Sequence, residues 1–195
     1  MNLPAIPPQI GESPMKLLTL VALVLAIILP CNAIPEMQEE KGTISLWCKG
    51  STWVLQFPGE GYKLQLEDHK DDGLSHYYIF HNAALNLNVS FYIEPVSKCD
   101  SSEECRRMYW ENPGPAVANP QGVTFFDLNG FSIVEFIVPE FKGIKVNQIN
   151  MSGHHVRDGY WVDMHISKVL YQPKDRVMFI DLIKSISFKS RTVTG

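Results

Sequence analysis

Apolar and polar residues alternate with a period of two over much of this chain, which is the signature of strands with one buried face. The clearest run is Leu85 to Ile93. Leu85, Leu87, Val89, Phe91 and Ile93 point one way, and Asn86, Asn88, Ser90, Tyr92 and Glu94 the other. Earlier strands are expected from Thr43 onward, including Leu46-Trp47-Cys48 and then Thr52 to Phe57, which Pro58-Gly59 closes. Tyr62 to Glu67 and Ser75 to His81 follow, separated by the turn Lys70-Asp71-Asp72-Gly73. Two hairpins come later. Phe125 to Leu128 and Phe131 to Val138 flank Asn129-Gly130, a strong hairpin signal. Val146 to Val156 and Tyr160 to Leu170 flank Arg157-Asp158-Gly159.

Two segments break this rhythm. Ser101 and Glu104 form an S-x-x-E capping box, so a helix is expected from about Ser102 to Glu111, ending before Asn112-Pro113-Gly114-Pro115. Pro173 opens a second helix, with Val177, Phe179, Ile180, Leu182, Ile183 and Ile186 on its apolar side. Strands, a helix, more strands and a terminal helix predict a single α+β domain with an antiparallel sheet.

The unbroken apolar run from Leu17 to Leu29 has a different origin. Lys16 precedes it, and Pro30, Asn32 and Ala33 follow, the layout of a secretory signal peptide over residues 15–33. The run falls short of the roughly 20 apolar residues that a membrane span needs. Residues 1–14 are proline-rich without a basic charge and read as a leader ahead of a native start at Met15. Residues 34–42 are polar and acidic and read as a flexible tether, with the domain at 43–189 and a tail at 190–195. The protein is therefore expected to be exported, to a bacterial periplasm or beyond the cell, with no membrane span in the mature chain.

Net charge and cysteines narrow the function. A formal charge of −4 without any basic run speaks against nucleic acid as a partner. Cys31 leaves with the signal, so Cys48, Cys99 and Cys105 remain. Cys99 and Cys105 bracket the start of the capped helix, where the chain reverses, and a disulfide between them is expected in an oxidising compartment. A bridge to Cys48 is the rival pairing. Without one, Cys48 stays a buried thiol.

The strand Trp53 to Pro58 followed by Gly61-Tyr62, the long alternating strand before a helix, and the twin hairpins resemble the PsbP/Mog1-like family. Val177-Met178-Phe179 leading to Leu182-Ile183-Lys184-Ser185-Ile186-Ser187-Phe188 fits as well. The resemblance spans Thr43 to Phe188. It implies a sheet flanked by helices, an α/β/α sandwich, and a non-enzymatic accessory, assembly or binding role. It transfers no functional residue, and the Cys99/Cys105 pair and the long Pro-rich loop depart from the pattern.

Candidate chemistry concentrates on the second hairpin. A two-residue turn at Asp158-Gly159 sets His154 opposite Asp163 and Ser152 opposite His165. His154, Asp163 and His165 then share one face, while Met151, His155, Val162, Met164 and Ile166 share the apolar one. Two imidazoles and a carboxylate can hold a transition metal such as zinc, or can form a solvated polar face whose members bond each other. Tyr109 and Trp110 at the end of the first helix are binding-surface candidates, or packing residues beneath that helix. There is no G-x-S-x-G elbow, P-loop or H-E-x-x-H motif, so no catalytic residue and no cofactor is assigned. The expected function is an exported non-enzymatic module that binds an envelope or secreted protein. The alternative is a metal-binding protein or metal-dependent enzyme using the His/Asp cluster. Mass spectrometry of exported protein should find Ile34 at the mature N-terminus. A lipidated Cys31 or an intact Met15 would contradict the reading of the signal.

Overall fold

Strand parity does most of the building. In β6 (Leu87–Pro95), Leu87, Val89, Phe91 and Ile93 are buried, while Asn88, Ser90, Tyr92 and Glu94 are not. The same division holds in β5 (His76–Asn82), where Tyr78 and Phe80 go inward and Tyr77 and Ile79 outward. The computed structural model describes residues 36–70, 73–112, 117 and 119–191. The leader, the signal peptide with Cys31, Asp71-Asp72, Pro113 to Pro115 and the last four residues lie outside the described residues.

Among the described residues, eleven strands form two antiparallel sheets. The larger has the order β4 (Tyr62–His69), β5, β6, β10 (Tyr160–Lys168), β9 (Ile144–Arg157), β8 (Phe131–Phe141), β7 (Gln121–Leu128). The smaller has the order β1 (Met37–Glu40), β2 (Thr43–Leu46), β3 (Trp53–Pro58), β11 (Ser187–Ser190). Helix α1 spans Ser102–Glu111 and packs on β8 and β9. Helix α2 spans Arg176–Ser185, after a single 3-10 turn at Pro173–Asp175. The fold is α+β with antiparallel sheets.

The main core lies between the sheets. Ile44, Leu46, Trp53, Leu55 and Phe57 of the smaller sheet meet Tyr78, Phe80, Phe91, Met164 and their neighbours, with Phe179, Leu182 and Ile183 of α2 completing the cluster. A second, smaller cluster of Val134, Phe136 and Val138 sits on the opposite face of the large sheet, packed with Tyr109 and Trp110 of α1. One strand, β8, therefore feeds both cores by parity alone. In the main core, a Cβ at Gly153 would approach Met164 Cε to 2.7 Å and Phe131 Cδ1 to 3.3 Å, so the flexible Met164 side chain would have to move to admit one.

Local signals work as their chemistry demands. Ser101 Oγ accepts from the Glu104 amide at 3.2 Å, and the Glu104 carboxylate accepts from the Asp100 amide at 2.9 Å. The helix start is thus fixed from both sides. Cys99 and Cys105 are joined there, with Cα atoms 5.1 Å apart. Cys48 is a free, buried thiol that burial, with Glu36 adding, pushes up to about 12. Asp158 and Gly159 take φ of 47° and 79°, the left-handed pair of a two-residue hairpin turn. Asn129 of the first hairpin turn also donates to the carbonyls of Ile183 and Ile186 at 2.8 and 2.7 Å, which ties that turn to the end of α2.

Several expectations need correction. Met37–Glu40, read as tether, is strand β1, paired from Met37↔Leu46 to Glu40↔Thr43. An edge strand is held by main-chain bonds and can be charged throughout, so no alternation betrays it. The antiparallel strands divide into two sheets instead of one. Ser187–Ser190 is a further strand, pairing with β3. Leu85 lies in the turn before β6 and is 38% exposed. Val177 is 57% exposed and does not belong to the buried face of α2.

Truncating Phe179, which is fully buried between α2 and the sheets, should destabilise the domain by about 3–5 kcal/mol. Val177→Ala on the same helix should change stability by less than about 1 kcal/mol. Urea unfolding of both variants checks this, and equal losses would show that α2 is misassigned to the core.

Candidate functional site

The helix-bearing face of the large sheet is laid out in cross-strand rows. Tyr77, Tyr92, Asp163, His154 and Ser132 are successive partners across β5, β6, β10, β9 and β8. The next row reads Ile79, Ser90, His165, Ser152 and Val134. The pairings of His154 with Asp163 and of Ser152 with His165 are the expected ones, and Val162, Met164 and Ile166 are buried on the other face.

The face itself is not the solvated surface that polar alternation implies. Helix α1 covers its β8–β9 half, and His154 beneath it is 0% exposed. Tyr109 lies over His154 with ring centres 4.9 Å apart, and its hydroxyl accepts from Ser152 Oγ at 3.3 Å. The helix is too short to cover the whole sheet. The uncovered part, over β5, β6 and β10, forms a cleft of about 240 Å³. Tyr77, Ser90, Tyr92, Tyr109, Asp163 and His165 line it, with Asn150 and Gln148 on β9 and Val117 and Phe136 at the side of α1.

The polar groups around this cleft have defined states. Trp161 Nε1 donates to His154 Nδ1 at 3.3 Å, so that nitrogen carries no proton. Burial, with Arg106 adding, pushes His154 down to about 3, and the ring is neutral. Its 3.6 Å approach to Asp163 Oδ1 is therefore not an ion pair. His165 Nε2 donates to Asn150 Oδ1 at 3.1 Å, and burial pushes His165 down to about 4. Asp163 is pushed up to about 7 by burial and by the nearby Glu94 carboxylate. Its side chain keeps 22% of its surface, yet Oδ1 is buried and has no hydrogen-bond partner among the described residues.

The metal-candidate residues do not converge. His154 and Asp163 are neighbours, but His154 Nδ1 is engaged by Trp161 and His165 by Asn150 in the adjacent row. Among the described residues, no group of three or more His, Cys, Asp or Glu is arranged to hold a metal ion. The two binding-surface candidates separate as well. Tyr109 forms a cleft wall, whereas Trp110 packs on Phe136 and Phe125 with ring centres 5.4 and 5.9 Å away. His155 faces the core side, bonds the Gly130 carbonyl at 2.7 Å and stacks on Phe188 at 4.4 Å. No sequence motif marks Tyr77, Tyr92, Ser90, Gln148 and Asn150 as cleft residues, although Ser90 and Tyr92 are expected on the polar face of their strand. Their outward parity was the available signal.

No protein-family model and no curated protein matches this chain. Among solved structures, the fold resembles that of cyanobacterial PsbP (CyanoP) from Synechocystis sp. PCC 6803. That resemblance has 11% identity and a TM-score of 0.49, covering 85% of this chain and 99% of the other. It also resembles a crystal structure from Bacteroides thetaiotaomicron VPI-5482, at 10% identity and a TM-score of 0.43, covering 72% of this chain. This chain spans 46% of the length of that second protein. Likeness at this level assigns no activity to this chain. No helix among the described residues is long and apolar enough to cross a membrane.

Asp163 makes a prediction about stability. Its carboxyl is raised in the folded state, so folding favours the protonated form. Its contribution is present at low pH and is lost as pH rises from the ordinary carboxyl value towards about 7. Asp163→Asn removes that loss. The variant should match the wild type near pH 4, gain steadily, and hold a constant advantage above about pH 7. The depressed histidines act in the opposite sense but are common to both proteins, so the difference isolates Asp163. Urea unfolding across this range measures it, and a pH-independent difference would contradict the assignment.

Proposed function

We propose that this protein is an exported, non-enzymatic accessory module that binds a protein partner through the cleft beside α1. One observation carries the reading: three tyrosines from separate elements, Tyr77, Tyr92 and Tyr109, converge on polar groups that the fold leaves reachable. A concave site with aromatic walls and a few convergent polar groups of perturbed pKa is the usual form of a binding site. Tyrosine adds large contact area with little conformational entropy to lose, which favours recognition. The thiols give no support to nucleophilic chemistry. Cys99 and Cys105 are bonded to each other, and Cys48 is buried with its thiol held far above neutrality. Export follows from the signal-like residues 15–33.

Site-specific photocrosslinking tests this reading in the native host. With benzoylphenylalanine in place of Tyr77, exported protein should give one discrete crosslinked product. The product should disappear when Ser90→Trp fills the cleft. A probe replacing the exposed Glu39 on the smaller sheet should give none. A product that survives Ser90→Trp would move the interface elsewhere. Stoichiometric transition metal in the purified protein, lost in His165→Ala, would replace this reading with the metal-binding alternative.

A further inference from the structure

Charge and ring placement in the cleft are one-sided. Asp163 is its acid, and no lysine or arginine contributes to the lining among the described residues. Four aromatic rings, those of Tyr77, Tyr92, Tyr109 and Phe136, surround the polar groups. Tyr92 stands directly opposite Asp163 across the β6–β10 ladder, and Tyr77 opposite Tyr92, with ring centres 6.2 Å apart and nearly perpendicular. Asp163 Oδ1 is buried and has no donor among the described residues. The amide and imidazole groups near it are engaged with each other: Gln148 and His165 both donate to Asn150 Oδ1, at 2.6 and 3.1 Å. The cleft thus offers a partly exposed carboxyl group, whose buried Oδ1 has no donor among the described residues, and the rings of Tyr77 and Tyr109, with no lysine or arginine in its lining.

We propose that the cleft binds an organic cation, with Asp163 as counter-ion and Tyr77, Tyr92 and Tyr109 as aromatic walls. The cation is an ammonium or guanidinium group, carried on a lysine or arginine side chain or on a small free amine. The inference rests on the reading of this cleft as the binding site. Cations seat over aromatic faces within about 6 Å of the ring centre, and desolvation strengthens the attraction. The chain already uses Tyr92 in this way: Lys70 Nζ lies 5.6 Å from its ring centre and 3.3 Å from Glu94 Oε2, at the exposed rim. At about 240 Å³ the cleft is smaller than the roughly 300–1,000 Å³ of sites for drug-sized molecules. That size suits one side chain or a small amine.

The groups facing Asp163 set the pH dependence. They are Tyr92 and Glu94 on β6, His154 on β9 and Tyr109 on α1, with His165 two residues along the same strand. Arg106, which lowers His154, is directed to Glu103 and Asp127, each at 3.8 Å. Neither histidine carries charge near neutrality, whereas Asp163 changes state there. Glu94 is held by Lys70 and by the Tyr92 hydroxyl, which donates to it at 2.9 Å. A cation held against the exposed part of the Asp163 carboxyl stabilises its ionised form, so binding should strengthen as pH rises through about 7.

The test is an NMR titration of the whole mature protein with three probes: n-butylammonium, its neutral counterpart n-butanol, and the peptide Gly-Gly-Lys-Gly-Gly. The ammonium should shift resonances of Tyr77, Tyr92 and Asp163. It should bind about tenfold more tightly at pH 8 than at pH 5.5. Asp163→Asn, nearly isosteric and expected to fold at least as stably, should reduce binding about tenfold or more and abolish the preference over butanol. Tyr92→Leu should weaken it about three- to tenfold. Tighter binding of the peptide identifies a partner's side chain as the source of the cation, and tighter binding of the free amine identifies a small molecule. Either supports the proposal. Equal binding of butanol, or cation binding unaffected by Asp163→Asn, overturns it while leaving the cleft a binding site. Absence of any cleft shift also overturns it, and the crosslinking experiment then judges the cleft separately.

Discussion

The parity of the β6–β10–β9 ladder is the constraint from which the rest of the molecule follows. A two-residue turn at Asp158-Gly159 fixes which residues of β9 and β10 face each other. One face then receives Val162, Met164 and Ile166, and the other Asp163 and His165. A slip of one residue would exchange these sets and bury carboxylate and imidazole between the sheets. Such a slip would place unpaired polar groups in an apolar core, at several kcal/mol in total.

The outer face has a different energetic character. It is covered in part by a single ten-residue helix, anchored by the Ser101 cap and the Cys99–Cys105 bond. Under that helix, polar side chains are removed from water and must find partners within the protein. Several do: Ser152 bonds Tyr109, Asn150 serves both Gln148 and His165, and His154 Nδ1 takes the Trp161 N–H, although His154 Nε2 is buried without a partner among the described residues. Asp163 does not, because it stands at the boundary between the covered and open halves of the sheet. Its raised pKa comes from the burial it does have and from Glu94, and its place in the cleft from the part of the sheet that α1 leaves uncovered.

Much of this was legible in the sequence wherever the information is local. The Asp158-Gly159 turn, the alternation of β6 and the Ser101/Glu104 box each specify geometry within a few residues, and the register of His154 with Asp163 follows from the first. Non-local choices were not legible. Nothing in Met37-Gln38-Glu39-Glu40 signals a strand, because its stability comes from main-chain pairing with β2 and from the anchoring of Glu36, whose carboxylate pairs with His76. The division into two sheets depends on β3 choosing β2 and β11 as neighbours while β4 pairs with β5. The cleft was invisible for the same reason. Tyr77 and Asp163 are far apart in sequence, and only the order β5-β6-β10 brings their rows together.

The state of Asp163 joins the register, the partial cover of α1 and the chemistry of the cleft. Its carboxyl carbon can be followed by NMR in protein labelled at aspartate, with pH as the variable and no ligand present. A midpoint near 7 is the result this structure requires. A midpoint at the ordinary carboxyl value of about 4 would mean that Asp163 is solvated, that the face is open, and that the cleft as described here does not exist.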